Sequence, residues 1–529
     1  MKASVYKTLL LLAIPTATLL TGCTKNFEDI NTDKNQATPD TYKPEYNLTR
    51  AQLEFSGNND FSYDTWRVNI IYCGMMTQQL ANVTWYAGDK YMSNPAHSAA
   101  SFDVAYNDQV KYIVDMINLT KNKPQYSNLH QIGRIMRAFI MHRLTDIYGD
   151  IPYSEAGRGY SDRILTPKYD KQEDIYRDML KELDEATKAL DATKDVVGKN
   201  DLIYGGNPDK WKRLGYSLMV RLGMRLSKID GPAAKTWVEK AAQGGIITGN
   251  EENAYIQHDL GGGRVTVNRN SNVLGSGGPD DYNATGWDRS KSAKTEVFLS
   301  KTFIDYLKNN NDPRLQYMAL VRGSGVTTPS AQIGLPNGYD INGGATDIKT
   351  APNYPGDLLN YSTIRGDVLL KPTGITVFLT YGQTELLLAE AAQRGWNVGG
   401  SAADHYNKGV TASMQQLAQY DAKANIGDAA IQAYLAAHPY DGAKGLEQIN
   451  SQYWVASFLD WYEVWSNWRR SGYPVLVPVN YVGNATGGTI PRRLPYPTAE
   501  IAANNTNYAA AVARQGSDVM TTRMWWDKQ

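Results

Sequence analysis

Cysteine is nearly missing from this chain, with two among 529 residues, Cys23 and Cys73. A disulfide framework needs more than that, so stability has to come from packing. Net charge is missing too. The 54 basic residues balance the 54 acidic ones, and such a surface has no field to gather nucleic acid or anionic lipid. Beyond the first two dozen residues no apolar run reaches the 20 or so residues that a membrane-spanning helix requires. Familiar catalytic signatures are also wanting: no HExxH, no CxxC pair, no Walker loop and no GxSxG occurs, which removes the commonest routes to zinc, nucleotide and serine-nucleophile chemistry. The six histidines are scattered, and His142 has no second histidine at i+4. "GGGR" from Gly261 neither follows a clear strand nor opens a helix, so it is no phosphate cradle. "DINGG" from Asp340 lacks the ligand spacing and closing glutamate of a calcium loop. Asp280-Asp281 reads as a polar turn. No cofactor is expected, and a structural calcium has no support in the sequence.

What is present begins at the N-terminus. Lys2 and Lys7 precede an apolar stretch from Leu9 to Leu20, the pattern of a signal peptide over residues 1–22. "LTGC", Leu20 to Cys23, resembles a bacterial lipobox, in which the cysteine is acylated and becomes the first residue of the mature chain. Lipidation at Cys23 would leave Cys73 without a partner, as a small buried hydrophobe. Residues 23–40 are polar and read as a tether. Losing Lys2 and Lys7 leaves 52 basic against 54 acidic residues, a net charge of −2.

The body, residues 41–529, reads as one large α-helical domain. Leu129, Ile132, Ile135, Met136, Phe139, Ile140 and Ile147 recur at helical period, and so do Ile175, Met179, Leu183, Ala186 and Leu190. Further helices are expected at Asp209–Ser227, Ala233–Gly244, Thr380–Arg394, Ala402–Gln419 and Leu446–Trp468. Several form close pairs with small residues where backbones would approach, the layout of tetratricopeptide-like repeats without a strict 34-residue consensus. From Glu251 to Pro372 the chain is rich in Gly, Asn, Pro and Asp, with helical period only in "KTFIDYL". Ordered loops of that length on a rigid scaffold are the usual seat of binding residues. Arg469-Arg470 and Arg492-Arg493 are expected to tie loop carbonyls and helix C-termini.

Aromatic usage is skewed, with Tyr 35 and Trp 12 against Phe 9. Tyr and Trp combine a flat apolar face with a polar tip, which suits half-wet surfaces. Two loop segments concentrate them. "NVTWYAGDKYMSN" sets Trp85, Tyr86 and Tyr91 among Asp89 and Asn94, and "DDYNATGWDR" sets Tyr282 and Trp287 beside Arg289. These are the candidate ligand-binding residues. The competing reading for each ring is that it plugs its loop into the scaffold.

Taken in order, "CTKNFEDINTDKNQAT", "AFIMHRLTDIYGDIPYSEA", "WKRLGYSLMVRLGMRLSK", "NNNDPRL", "LTYGQTELLLAEAAQRGW", "YWVASFLDWYEVWSNWRRSGYPVL", "IPRRLPYPTAEIAANNTNY" and "RMWWD" resemble the SusD/RagB family of outer-membrane lipoproteins, in its SusD-like branch. That resemblance implies an all-α fold of tetratricopeptide-like helix pairs with long irregular ligand-facing insertions. It implies a lipid-anchored, surface-exposed, non-catalytic protein that delivers oligosaccharide to a SusC-like TonB-dependent transporter, with the helical scaffold toward the barrel. Capture of peptide or glycopeptide for the same kind of transporter, or surface glycosidase activity, are the alternatives. Asp146, Trp211, Trp454, Trp465, Trp525 and Trp526 are assigned packing and capping roles.

Overall fold

A computed structural model describes residues 42–57, 63–260, 267–274 and 297–528. Cys23, the tether, and Tyr282, Trp287 and Arg289 lie outside the described residues. From Glu45 onward the chain forms one unit.

Amphipathic spacing builds the first half of the scaffold as a row of antiparallel neighbours: α1 (Lys111–Thr120), α2 (Ser127–Tyr148), α3 (Gln172–Ala189), α4 (Pro208–Arg225) and α5 (Gly231–Gly244). Each packs on the next. The stripe read along α2 is buried throughout. Starts are set by capping: the Asn207 side chain accepts the Lys210 N–H ahead of Pro208, and Asp230 accepts the Ala233 N–H ahead of Pro232. Proline costs nothing in a first turn, where its missing donor would have no partner.

The second row is α6 (Tyr381–Gln393), α7 (Ala402–Gln415), α8 (Gly445–Ala456) and α9 (Trp461–Ser471). Thr380 with Gln383 and Ser401 with Asp404 close capping boxes on α6 and α7. α6 and α7 approach very closely. A Cβ on Gly382 would sit 3.2 Å from the Gly409 carbonyl oxygen, and one on Gly409 would sit 2.7 Å from Leu386 Cγ. The rows join where α6 meets α4 and α9 meets α2.

Two expected helices break. The stretch Leu446–Trp468 is two helices, because Leu459 takes a left-handed φ of 80° and Asp460 starts a new one. Ala402–Gln419 ends at Gln415, with a separate turn at Leu417–Tyr420. Hydrophobic period persists through both breaks, which is why spacing alone does not reveal them.

Charge is buried where the rows meet. Arg225 bonds Asp146 at 3.2 Å and Glu463 at 2.6 Å, and Tyr453 donates to Glu463 at 2.7 Å. Burial raises the Glu463 pKa, but Arg221 and Arg225 outweigh it and hold the carboxyl at about 2. Arg470 pairs with Glu390 through two bonds of 2.7 Å. Arg469 donates to the Arg492 carbonyl, Arg492 pairs with Asp527, and Arg493 pairs with Asp518. These arginines brace the fold and leave no cationic patch. Trp211, Trp454, Trp465 and Trp526 are buried and Trp525 is half-buried. Cys73 is buried and free, its thiol pushed up by burial.

The region 251–372 is not structureless. Its described residues carry short antiparallel pairings, 254–257 with 375–379 and 319–321 with 362–364, and the helix Lys301–Asn309. Phe298 and Leu299 pair with Ala81 and Leu80, which fastens this region to the loop that bears Trp85.

Candidate functional site

The loop from Asn82 to Asn94 runs between the Leu80–Ala81 strand and the helix Pro95–Ala105, across a π-helix, Thr65–Gly74. π-Helical turns are rare and gather at functional sites. At Gly88 the loop backbone lies so close to the π-helix that any Cβ would overlap the Ile71 carbonyl oxygen.

Trp85 is 44% exposed in this loop. Its ring meets Tyr86 edge-on at 4.6 Å, Trp66 at 5.8 Å and His97 at 6.2 Å. Trp66 and Tyr86 are buried. Behind them the Arg67 guanidinium lies 4.0 Å from the Trp66 ring and 4.3 Å from the Tyr63 ring. One ring therefore faces solvent, fixed by a wall of others in the edge-to-face geometry that aromatic quadrupoles favour. Burial, with Arg67 adding to it, pushes the His97 pKa down to about 4. At neutral pH the imidazole is uncharged and puts no charge behind the platform.

The other candidates in this loop face inward. Tyr86 is packed under Trp85. Asp89 is buried and accepts from Lys90 Nζ at 3.2 Å, Asn337 Nδ2 at 3.2 Å and the Gly338 N–H at 3.3 Å. Lys90, also buried, donates to the Asn82 carbonyl at 2.6 Å. Tyr91 is buried at a φ of 55°, and its hydroxyl accepts the Val479 N–H at 3.2 Å. Asn94 caps the next helix by accepting the His97 N–H at 3.2 Å. Asp89 and Tyr91 thus brace the loop, Asn94 caps the next helix and Tyr86 packs beneath Trp85, where ligand contacts were expected of all four. Asp89 and Tyr91 bolt the loop that carries Trp85 to the chain around 337–338 and 479.

Trp66 is a member of the site that sequence reasoning missed. Its only signal was the adjacent Trp66-Arg67 at the start of an apolar run. Tyr282, Trp287 and Arg289 lie outside the described residues; the described residues on either side of their segment reach this site. The helix Arg269–Leu274 packs on the π-helix, and Phe298 pairs with Ala81.

No metal centre is offered: among the described residues no group of three His, Cys, Asp or Glu side chains converges. Asp340 is occupied by the Asn342 N–H at 2.9 Å, Thr346 Oγ1 at 2.8 Å and the Tyr481 hydroxyl at 2.5 Å. Elsewhere, a cleft of about 730 Å³ lies between Asp150, Arg514, Arg523 and Trp525. Its Arg514–Asp150 and Arg523–Asp527 pairs satisfy each other, and none of the candidate residues lines it.

Comparison with known proteins agrees with this architecture. The family described as SusD-like, starch-binding and associating with the outer membrane matches residues 35–497. A solved structure described as a chitin-binding protein is 35% identical with a TM-score of 0.79, and the match covers 92% of this chain and 100% of that one. A Bacteroidetes SusD-like structure, AC2a, is 27% identical with a TM-score of 0.78, over 92% of this chain and 100% of its own. A chitin-binding SusD homologue from Flavobacterium johnsoniae, at 23% identity and a TM-score of 0.70 over 92% and 98%, shares the fold. No curated protein matches the chain. The tetratricopeptide-like helix rows, the loop-rich face and the match over most of its length identify this chain as a member of the SusD/RagB family, in the SusD-like branch.

Proposed function

We propose that the protein is a non-catalytic, cell-surface lipoprotein that holds glycan chains against Trp85 and passes them to a SusC-like TonB-dependent transporter. The observation that carries this reading is the Trp85 platform: one half-exposed indole backed by the buried rings of Trp66 and Tyr86. A flat apolar ring of this kind stacks on the C–H face of a sugar and needs no ionic partner. The 35%-identical relative described as chitin-binding favours a polymer of N-acetylglucosamine as the first ligand to test.

Trp85→Ala should weaken binding of N-acetylglucosamine oligomers by about 1–3 kcal/mol, the range for a central aromatic anchor. Titration calorimetry reads this directly. Unchanged affinity in a folded variant would move the site away from this loop.

The lipid anchor rests on the sequence around Cys23. Cys23→Ala should release the protein from the outer membrane into the soluble fraction, since acyl burial at about 0.8 kcal/mol per CH₂ is what would hold it there. From detergent extracts of wild-type membranes a TonB-dependent barrel should co-purify. A variant still retained in the membrane would refute the anchor, and extracts without the barrel would refute delivery.

A further inference from the structure

Beside the Trp85 loop lies a second, open cleft of about 540 Å³, a size typical of small-molecule sites. Its apolar lining includes Tyr339, Val477 and Pro478, and its polar lining includes Lys301, Asp305 and Asn480. Lys301 and Asp305 pair with each other, so the lining adds no net charge from these two. Val477 is 75% exposed although β-branched and apolar. An apolar surface with polar groups around it and balanced charge suits an uncharged polyhydroxylated ligand better than an ionic one.

The walls are fixed before any ligand arrives. Gln78 donates from Nε2 to the Val477 carbonyl at 2.5 Å and accepts from Thr302 Oγ1 at 2.9 Å. Asn337 donates to the Leu80 carbonyl at 2.9 Å and accepts from Ser300 Oγ at 2.6 Å. The same residues reach the Trp85 loop, because Asn337 and Gly338 donate to Asp89 while Val479 donates to Tyr91. Trp85 precedes Asp89 by four residues, so their Cα atoms are at most roughly 14 Å apart. Platform and cleft are therefore tied to the same loop.

We propose that this cleft is a second subsite for the same glycan chain, taking sugar units beyond the one stacked on Trp85. The inference rests on the glycan reading above. Two contacts joined by one stiff ligand make the second binding step intramolecular, so affinity should rise steeply once the chain is long enough to span both. Fixed walls add to this by lowering the ordering cost.

The test is titration of the mature chain with the trimer and the hexamer of N-acetylglucosamine. Val477→Asp places a carboxylate in the cleft from an exposed position, and Asn480→Ala removes a polar group on its lining. Thermal unfolding of both variants checks that the fold is kept. Each should lower hexamer affinity about 10-fold or more and lower trimer affinity by clearly less, whereas Trp85→Ala should weaken both oligomers. Equal losses on the two oligomers, or an undiminished hexamer affinity in both variants, would overturn the second subsite and leave the Trp85 reading standing. A wild-type protein that binds neither oligomer would instead sink the glycan reading itself, and this inference with it.

Discussion

Asp89→Ala separates two roles that the sequence leaves open, ligand contact and internal brace. In the structure the Asp89 side chain has no exposed surface and its Lys90 partner keeps only 3%. Truncation would strand the Lys90 ammonium with the Asn82 carbonyl as its remaining bond, and would leave Asn337 Nδ2 and the Gly338 N–H without this acceptor. Removing one partner of a buried ion pair costs about 3–5 kcal/mol, because an uncompensated charge stays behind. A buried donor left without a partner adds about 1–3 kcal/mol unless water reaches it. Asp89→Ala should therefore destabilise the protein by about 3–5 kcal/mol where water reaches the freed donors, and by more where it does not, read as a lower urea midpoint at unchanged slope. Trp85→Ala, at a half-exposed site, should cost far less stability. Glycan titration completes the comparison: below its unfolding midpoint Asp89→Ala should still bind through Trp85, more weakly as the loop loosens. A variant whose stability stays within about 1 kcal/mol of wild type but whose glycan binding is abolished would refute the brace and return Asp89 to the ligand.

Two further outcomes test the scaffold. Gly409→Ala puts a methyl against Leu386 at the α6–α7 crossing and should cost about 1–3 kcal/mol by overpacking; a neutral result in chemical denaturation would mean that the helices separate freely. His142 is buried on α2, where burial first and Arg221 next push its pKa down to about 3. The unfolded chain then binds a proton that the folded chain refuses between about pH 6.5 and 3, so stability falls as pH drops through that window, by about 1.4 kcal/mol per unit. His142→Gln lacks this term, and its deficit against wild type should shrink from pH 7 to pH 4; a constant deficit would refute the shift.

The scaffold was readable because helix burial is periodic: the stripe from Leu129 to Ile147 is a local signal. The breaks at Leu459 and Gln415 were not readable, because tertiary contacts rather than hydrophobic spacing set them. The candidate site divides along the same line. That loop aromatics concentrate around Trp85 is a compositional fact, and the exposed indole is consistent with it. Which of its neighbours turn inward depends on partners more than two hundred residues away, Asn337, Gly338 and Val479, and no window around Asp89 contains them. A polar residue among loop aromatics looks the same in sequence whether it meets a sugar hydroxyl or the far side of the fold. The buried bolts and the exposed ring are nevertheless one design, since a stacking platform binds tightly only if its loop has already given up its freedom. For this family member, the inward-facing Asp89 and Tyr91 are what would make the outward-facing Trp85 useful.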